Sequence, residues 1–222
     1  MLPAASGFQK KLFIISGLGA DERVFQRIDF SGYTPVFVHW EIPFEKETIE
    51  EYAGRLTHQI TEVNPILIGL SFGGMMAIEI AKQINTEKVI LISSVKTKYE
   101  IPFYFRFAGK IRLVNILPVR LLKYPNFLTN WYFGVSTKCD KMMLRQILID
   151  TDPQFLKWAI EKIANWNNTA TIRNTFHIHG TNDRVLPYRF VNCDATIQKG
   201  EHLMILSRPD ELTSILRQAI EK

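Results

Sequence analysis

Short runs rich in β-branched residues return along this 222-residue chain, and the stretches between them carry apolar residues at helical spacing. The runs are Leu12 to Ile15, Pro35 to Val38, Ile66 to Ile68, Val89 to Ile92, Thr175 to Ile178 and Asp194 to Gln198. Short runs of this kind between helical patterns fit parallel strands, which are buried on both faces. Thr48 to Val63, Gly74 to Ile84 and Pro209 to Ile220 read as amphipathic helices, with Pro209 suited to a first helical turn. Strand and helix in alternation predict an α/β chain whose mostly parallel, doubly wound sheet is covered by helices on both faces.

Residues 96–167 interrupt that alternation. They offer aromatic and basic helical pieces around Pro102, Pro118, Pro125 and Pro153, with no convincing strand. The expected organisation is therefore one core from 1–95 and 168–222, with a helical insertion at 96–167. With 46% apolar residues, the chain has enough for one domain with a real core. The net charge of +5 is concentrated: residues 96–165 hold twelve Lys/Arg against five Asp/Glu, a surplus of +7, and the remainder is −2. A basic segment suits an anionic substrate, a membrane surface or a solvated helical face, and no nucleic-acid-binding motif accompanies it.

Two cysteines, Cys139 and Cys193, form neither metal-ligand spacing nor a disulfide framework, which fits packing roles in a reducing compartment. Lys10 and Lys11 precede the first strand-like run but follow Met1 to Gly7, the reverse of a secretory signal's order. No apolar stretch approaches the about 20 residues that span a bilayer. The expectation is a cytoplasmic protein without stable membrane insertion; oligomeric state is not readable.

Chemistry enters at Ile66-Leu67-Ile68-Gly69-Leu70-Ser71-Phe72-Gly73-Gly74, an apolar strand, a tight turn and a helix start. A turn sharp enough to throw a hydroxyl clear of the sheet leaves no room for Cβ atoms two residues to either side, which explains Gly69 and Gly73. Composition alone gives about 0.03 such Gly-x-Ser-x-Gly pentads in a chain like this, so chance is a poor account of it. A serine hydroxyl is a weak nucleophile at neutral pH and needs a base, itself oriented by a carboxylate.

Of five histidines, His39 and His179 end strand-like runs, His58 lies in a helical stretch and His177 alternates within a strand. His202 differs. Lys199-Gly200-Glu201-His202 follows the last strand and puts the ring on a loop at the sheet edge, the place for the base. Asp183 follows a strand end and a glycine turn in His179-Gly180-Thr181-Asn182-Asp183 and is the expected third member. Asp194 at a strand start and Asp210 in a first helical turn, where an acid complements the dipole, are weaker candidates.

The order Ser71, Asp183, His202 resembles that of the α/β-hydrolase family, whose nucleophile, acid and histidine follow in that sequence. The resemblance spans most of the chain and rests on Gly69-x-Ser71-x-Gly73, His179-Gly180-x-x-Asp183 and Gly200-x-His202. It implies an oxyanion hole from the backbone N–H groups of Phe72 and Leu18, with Gly19 the neighbouring alternative, and a cap formed by 96–167. Two departures stand out: Ser16 replaces the histidine that many relatives place before this glycine, and the usual leading antiparallel strands are missing or minimal. Candidate pocket walls are Gly19 and Trp40 together with Phe103, Phe105, Phe107, Trp131, Tyr132, Phe133, Trp158 and Trp166. The resemblance implies a serine hydrolase acting on a small carboxylic ester or thioester through an acyl-enzyme, needing no cofactor or metal. Its partner would be a small acyl substrate, apolar or anionic. The same fold also hosts C–C hydrolysis, lyase chemistry and perhydrolysis, and a binding protein with little turnover is the alternative of a different class.

Overall fold

The computed structural model describes residues 9–111, 123 and 127–222. Among the described residues six strands form one sheet: β1 (Lys10–Ile15), β2 (Tyr33–Val38), β3 (Ile66–Leu70), β4 (Lys88–Ile92), β5 (Thr175–Gly180) and β6 (Ala195–Ile197). Their order is β2-β1-β3-β4-β5-β6, and all five pairings are parallel. Pro35, which cannot donate to a ladder, lies in the edge strand β2.

Successive residues of the central strands face opposite layers. Leu12, Ile14, Ile66, Ile68, Ile90 and Ile92 join one apolar cluster, while Phe13, Ile15, Leu67, Val89 and Leu91 join the other. Both faces are thus buried, which is why these strands lack a polar alternation. Helices α1 (Ile49–Leu56) and α2 (Phe72–Ala81) pack on the Phe13 side. Thr48 starts α1 with a capping box: its Oγ1 accepts from Glu51 N–H, and the Glu51 carboxylate accepts from Thr48 N–H. The helix expected to reach Val63 stops at Leu56 and passes into a single 3₁₀ turn at Thr57–Gln59, where Thr57 Oγ1 donates to the Gly54 carbonyl.

Between β4 and β5 lie α3 (Phe103–Lys110), α4 (Phe127–Phe133), α5 (Lys138–Asp150) and α6 (Pro153–Asn165). Pro118 and Pro125 lie outside the described residues. Leu144, Ile147 and Leu148 of α5 extend the Leu12-side cluster, and Phe155 and Trp158 of α6 extend the other, so these helices share the sheet's core. The chain closes with α7 (Met204–Ser207) and α8 (Pro209–Glu221). Cys193 is half-buried, but Cys139 is exposed near the start of α5 and does not pack as expected. No described helix is long and apolar enough to cross a membrane.

The topology fixes where a ligand can bind. From β1 the chain runs outward to β2, then returns to build β3 on the other side of β1. Connections therefore reverse direction between β1 and β3, and the crevice beyond their carboxyl ends is the expected ligand site of an open parallel sheet. The loop from Ser16 to Ala20 leaves β1 there, and Ser71 leaves β3.

Candidate active site

Ser71 stands between β3 and α2 with φ 52° and ψ −118°, a conformation that costs a side-chain-bearing residue about 1–3 kcal/mol. The residues two positions to either side must lack Cβ atoms. A Cβ on Gly69 would sit 2.4 Å from the Gly73 carbonyl oxygen, and one on Gly73 would sit 2.2 Å from that of Ile15. Strand, turn and helix can approach this closely only as glycine.

The hydroxyl meets His202. Ser71 Oγ is 2.9 Å from His202 Nε2, and His202 Nδ1 is 2.8 Å from Asp183 Oδ2. Asp183 Oδ1 accepts from the backbone N–H groups of Val185 and Leu186, each at 2.8 Å, which fixes the carboxylate's orientation. His202 Nδ1 therefore donates to Asp183, leaving Nε2 as an acceptor for the Ser71 proton. His202 and Asp183 are buried, whereas Ser71 is partly open. Phe133 of α4 sets its ring edge-on to the His202 imidazole at 5.5 Å, and its carbonyl accepts from Leu203 N–H at 3.0 Å.

A second imidazole reaches the acid. His179 Nε2 is 2.8 Å from the Leu186 carbonyl and 3.4 Å from Asp183 Oδ2, so that nitrogen carries the proton. His179 Nδ1 then accepts from His177 Nε2 at 3.2 Å, and the buried His177 Nδ1 has no hydrogen-bond partner. Burial pushes both imidazoles below their ordinary range, His177 well below it, and holds them neutral.

Two backbone segments face the serine. Phe72 opens α2, where an N–H has no intrahelical acceptor. Across from it Gly17 to Ala20 form a tight turn, closed by Ala20 N–H donating to the Gly17 carbonyl, with Gly19 at φ 64°. Leu18 N–H lies inside that turn. Ser16 accepts a hydrogen bond from Trp40 Nε1 at 3.1 Å, and Trp40 stacks on Phe72 at 5.4 Å.

The void at Ser71 is walled by Leu18, Gly19, Ala20, Val24, Phe133, Leu144, Leu203 and Leu206. Of the expected pocket residues, Gly19 and Phe133 are there and the others are not. Trp40 lines two other clefts, one of which it shares with Gly19 and Ala20. Phe103 and Trp131 are exposed, Trp131 lying under the Arg184 guanidinium. Trp166 is buried in the core, and its indole N–H, which burial would otherwise leave unpaired, donates to the buried Glu79 carboxylate at 2.8 Å. Ala20, Val24, Leu144 and Leu206, missed by sequence reasoning, carry no signal beyond ordinary apolarity. Among the described residues no group of three or more His, Cys, Asp or Glu is placed to hold a metal ion.

No family model matches the sequence, and no curated protein does. Solved structures do match. A bromoperoxidase from Bacillus anthracis is 16% identical with a TM-score of 0.67, over 97% of this chain and 93% of that one. A lipase-esterase related protein from Clostridium acetobutylicum is 16% identical with a TM-score of 0.68, over 95% and 94%. An esterase from Exiguobacterium antarcticum is 15% identical with a TM-score of 0.67, over 96% and 92%. At these identities the likeness speaks to architecture alone, and it agrees with the parallel sheet flanked by helices described above: this chain has the α/β-hydrolase fold.

Proposed function

We propose that the protein is a serine hydrolase that cleaves a small carboxylic ester or thioester through an acyl-enzyme. The observation that carries this is the unbroken series Ser71 Oγ, His202 Nε2, His202 Nδ1, Asp183 Oδ2, with contacts of 2.9 and 2.8 Å. As Ser71 Oγ attacks the substrate carbonyl carbon, its proton passes to His202 Nε2, and Asp183 stabilises the imidazolium formed. The carbonyl oxygen takes up negative charge and, in this reading, is met by the backbone N–H groups of Leu18 and Phe72, donors of the kind that stabilise such an oxyanion. Collapse breaks the bond to the leaving oxygen or sulfur, which receives the proton from His202 and departs. Water then loses a proton to His202, attacks the acyl-enzyme and releases the acid, returning the proton to Ser71.

The esterase, lipase-related and bromoperoxidase neighbours support this reading at the level of fold. In it, the helices between β4 and β5 act as a cap over Ser71, supplying Phe133 and Leu144 to its walls. The test is reaction with a fluorophosphonate followed by peptide mass spectrometry. Modification is expected on Ser71 and is abolished in Ser71→Ala; an unreactive wild type, or an adduct on another residue, refutes the proposal.

A further inference from the structure

The void beside Ser71 is largely enclosed and has room for about one water molecule. Apart from Ser71 and His202, its described walls are backbone and aliphatic or aromatic side chains, and none is charged. Such a space is costly for a carboxylate or ammonium group and favourable for a methyl group. An acyl-enzyme cycle decides which half of a substrate it holds. The leaving group must escape to solvent and water must follow it to the acyl-enzyme, so departure needs the open side of Ser71. The group that remains through both half-reactions can occupy the closed side.

We infer that this void is the acyl pocket, and that it restricts the enzyme to esters of uncharged, acetyl-sized acyl groups, with Leu144 as the side chain that sets the limit. The inference rests on the serine-hydrolase reading above. Leu144 is singled out by its surroundings. Phe133 packs on His202 and is tied to Leu203, Ala20 closes the Leu18 turn and Val24 follows it, and Leu203 and Leu206 come just after His202 in sequence. Leu144 comes instead from α5, which carries none of the proposed catalytic or oxyanion groups. Truncating it enlarges the pocket while leaving those groups in place.

The experiment compares kcat/KM for p-nitrophenyl acetate, butyrate and hexanoate, a series with a constant leaving group, using the full chain and Ser71→Ala as background. Extra methylenes forced into a packed site cost enough to predict acetate over butyrate by roughly ten-fold, and over hexanoate by more. Leu144→Ala should raise the butyrate-to-acetate ratio about ten-fold, and Leu144→Val should raise it less. The milder variant is included because Leu144 is buried, and the wild-type series decides even if both variants misfold. Hexanoate turned over as well as acetate, or an unchanged ratio in both folded variants, overturns the inference. Ser71 labelling by the fluorophosphonate separates the two levels: with labelling intact only the acyl-pocket assignment falls, and without it the serine-hydrolase reading falls as well.

Discussion

Gly73→Ala alters none of the three proposed catalytic side chains and should still disable the site. An ideal Cβ at Gly73 lies 2.2 Å from the Ile15 carbonyl oxygen and 2.3 Å from that of Ser16, whereas ordinary contact begins near 3.4 Å. About 1.2 Å of movement is needed, and both obstructing atoms are backbone. On one side of the clash is the first turn of α2, which carries Phe72 N–H; on the other is the end of β1, which leads to Leu18 N–H. The substitution therefore separates the two proposed oxyanion donors. A misplacement of about 1 Å costs on the order of 10² in rate, and loss of one donor costs about 10²–10³. Overpacking should also remove about 1–3 kcal/mol of stability. The assay is kcat for p-nitrophenyl acetate at a temperature where circular dichroism and urea titration show the variant folded, with an expected loss of about 10². Gly54→Ala is the control, because its Cβ would meet only the end of the Gln83 side chain, which can swing aside. A folded Gly73→Ala enzyme with wild-type kcat would refute the assignment of Leu18 and Phe72 as paired donors.

Asp183→Asn should keep the fold and lose about 10⁴ in kcat, because a side-chain amide donating toward His202 Nδ1 favours the tautomer that leaves no acceptor at Nε2 for the Ser71 proton. Near-normal turnover of the purified variant would move the orienting acid elsewhere. Stability should fall below about pH 6.5. His177 and His179 have depressed pKa values in the fold and stay neutral, while the unfolded chain binds protons there, so stability present above pH 6.5 is lost as pH falls. Each histidine should cost about 1.4 kcal/mol between pH 7.5 and 5.5 while it remains neutral in the fold. Urea titrations at both values check this against His177→Gln, which retains a donor for His179 but cannot titrate. Equal losses in both proteins would refute it.

The sheet could be read from the sequence because burial on both faces makes each central strand a short continuous apolar run, a pattern that solvent-facing segments do not imitate. Boundaries were harder. Apolar spacing from Thr48 to Val63 marks which residues face inward, as Ile60 does, without stating that the backbone carrying them is helical throughout. Ser71, Asp183 and His202 were readable for a different reason: each follows a strand and lies beside glycine, so local chemistry and topology pointed to one edge. The walls of the void lacked any such mark. Ala20, Val24, Leu144 and Leu206 converge only through packing between distant segments. Trp166 was misplaced because an aromatic residue satisfies equally well as pocket wall or as core; a glutamate within the otherwise apolar run of α2 was the available sign that some buried donor would need Glu79.

Ser71 holds its backbone against its own preference, and its neighbours account for how. Its N–H donates to the Ile92 carbonyl at 2.8 Å, continuing the β3–β4 ladder one residue past the strand. Its carbonyl accepts from Gly74 N–H at 2.9 Å and from the buried Ser94 hydroxyl at 2.6 Å. A cost of about 1–3 kcal/mol is within reach of three such bonds, each worth about 0.5–1.5 kcal/mol net. The same contacts assign different work to the three glycines. Gly69 makes room for the first turn of α2, Gly73 for the end of β1, and Gly74 for Ser94, whose Oγ would lie 2.3 Å from a Cβ there. A Gly-x-Ser-x-Gly pentad records only the first two. The third reveals that β4 takes part in aiming the hydroxyl, so the position of Ser71 is set jointly by β1, β3 and β4, the strands at the centre of the sheet.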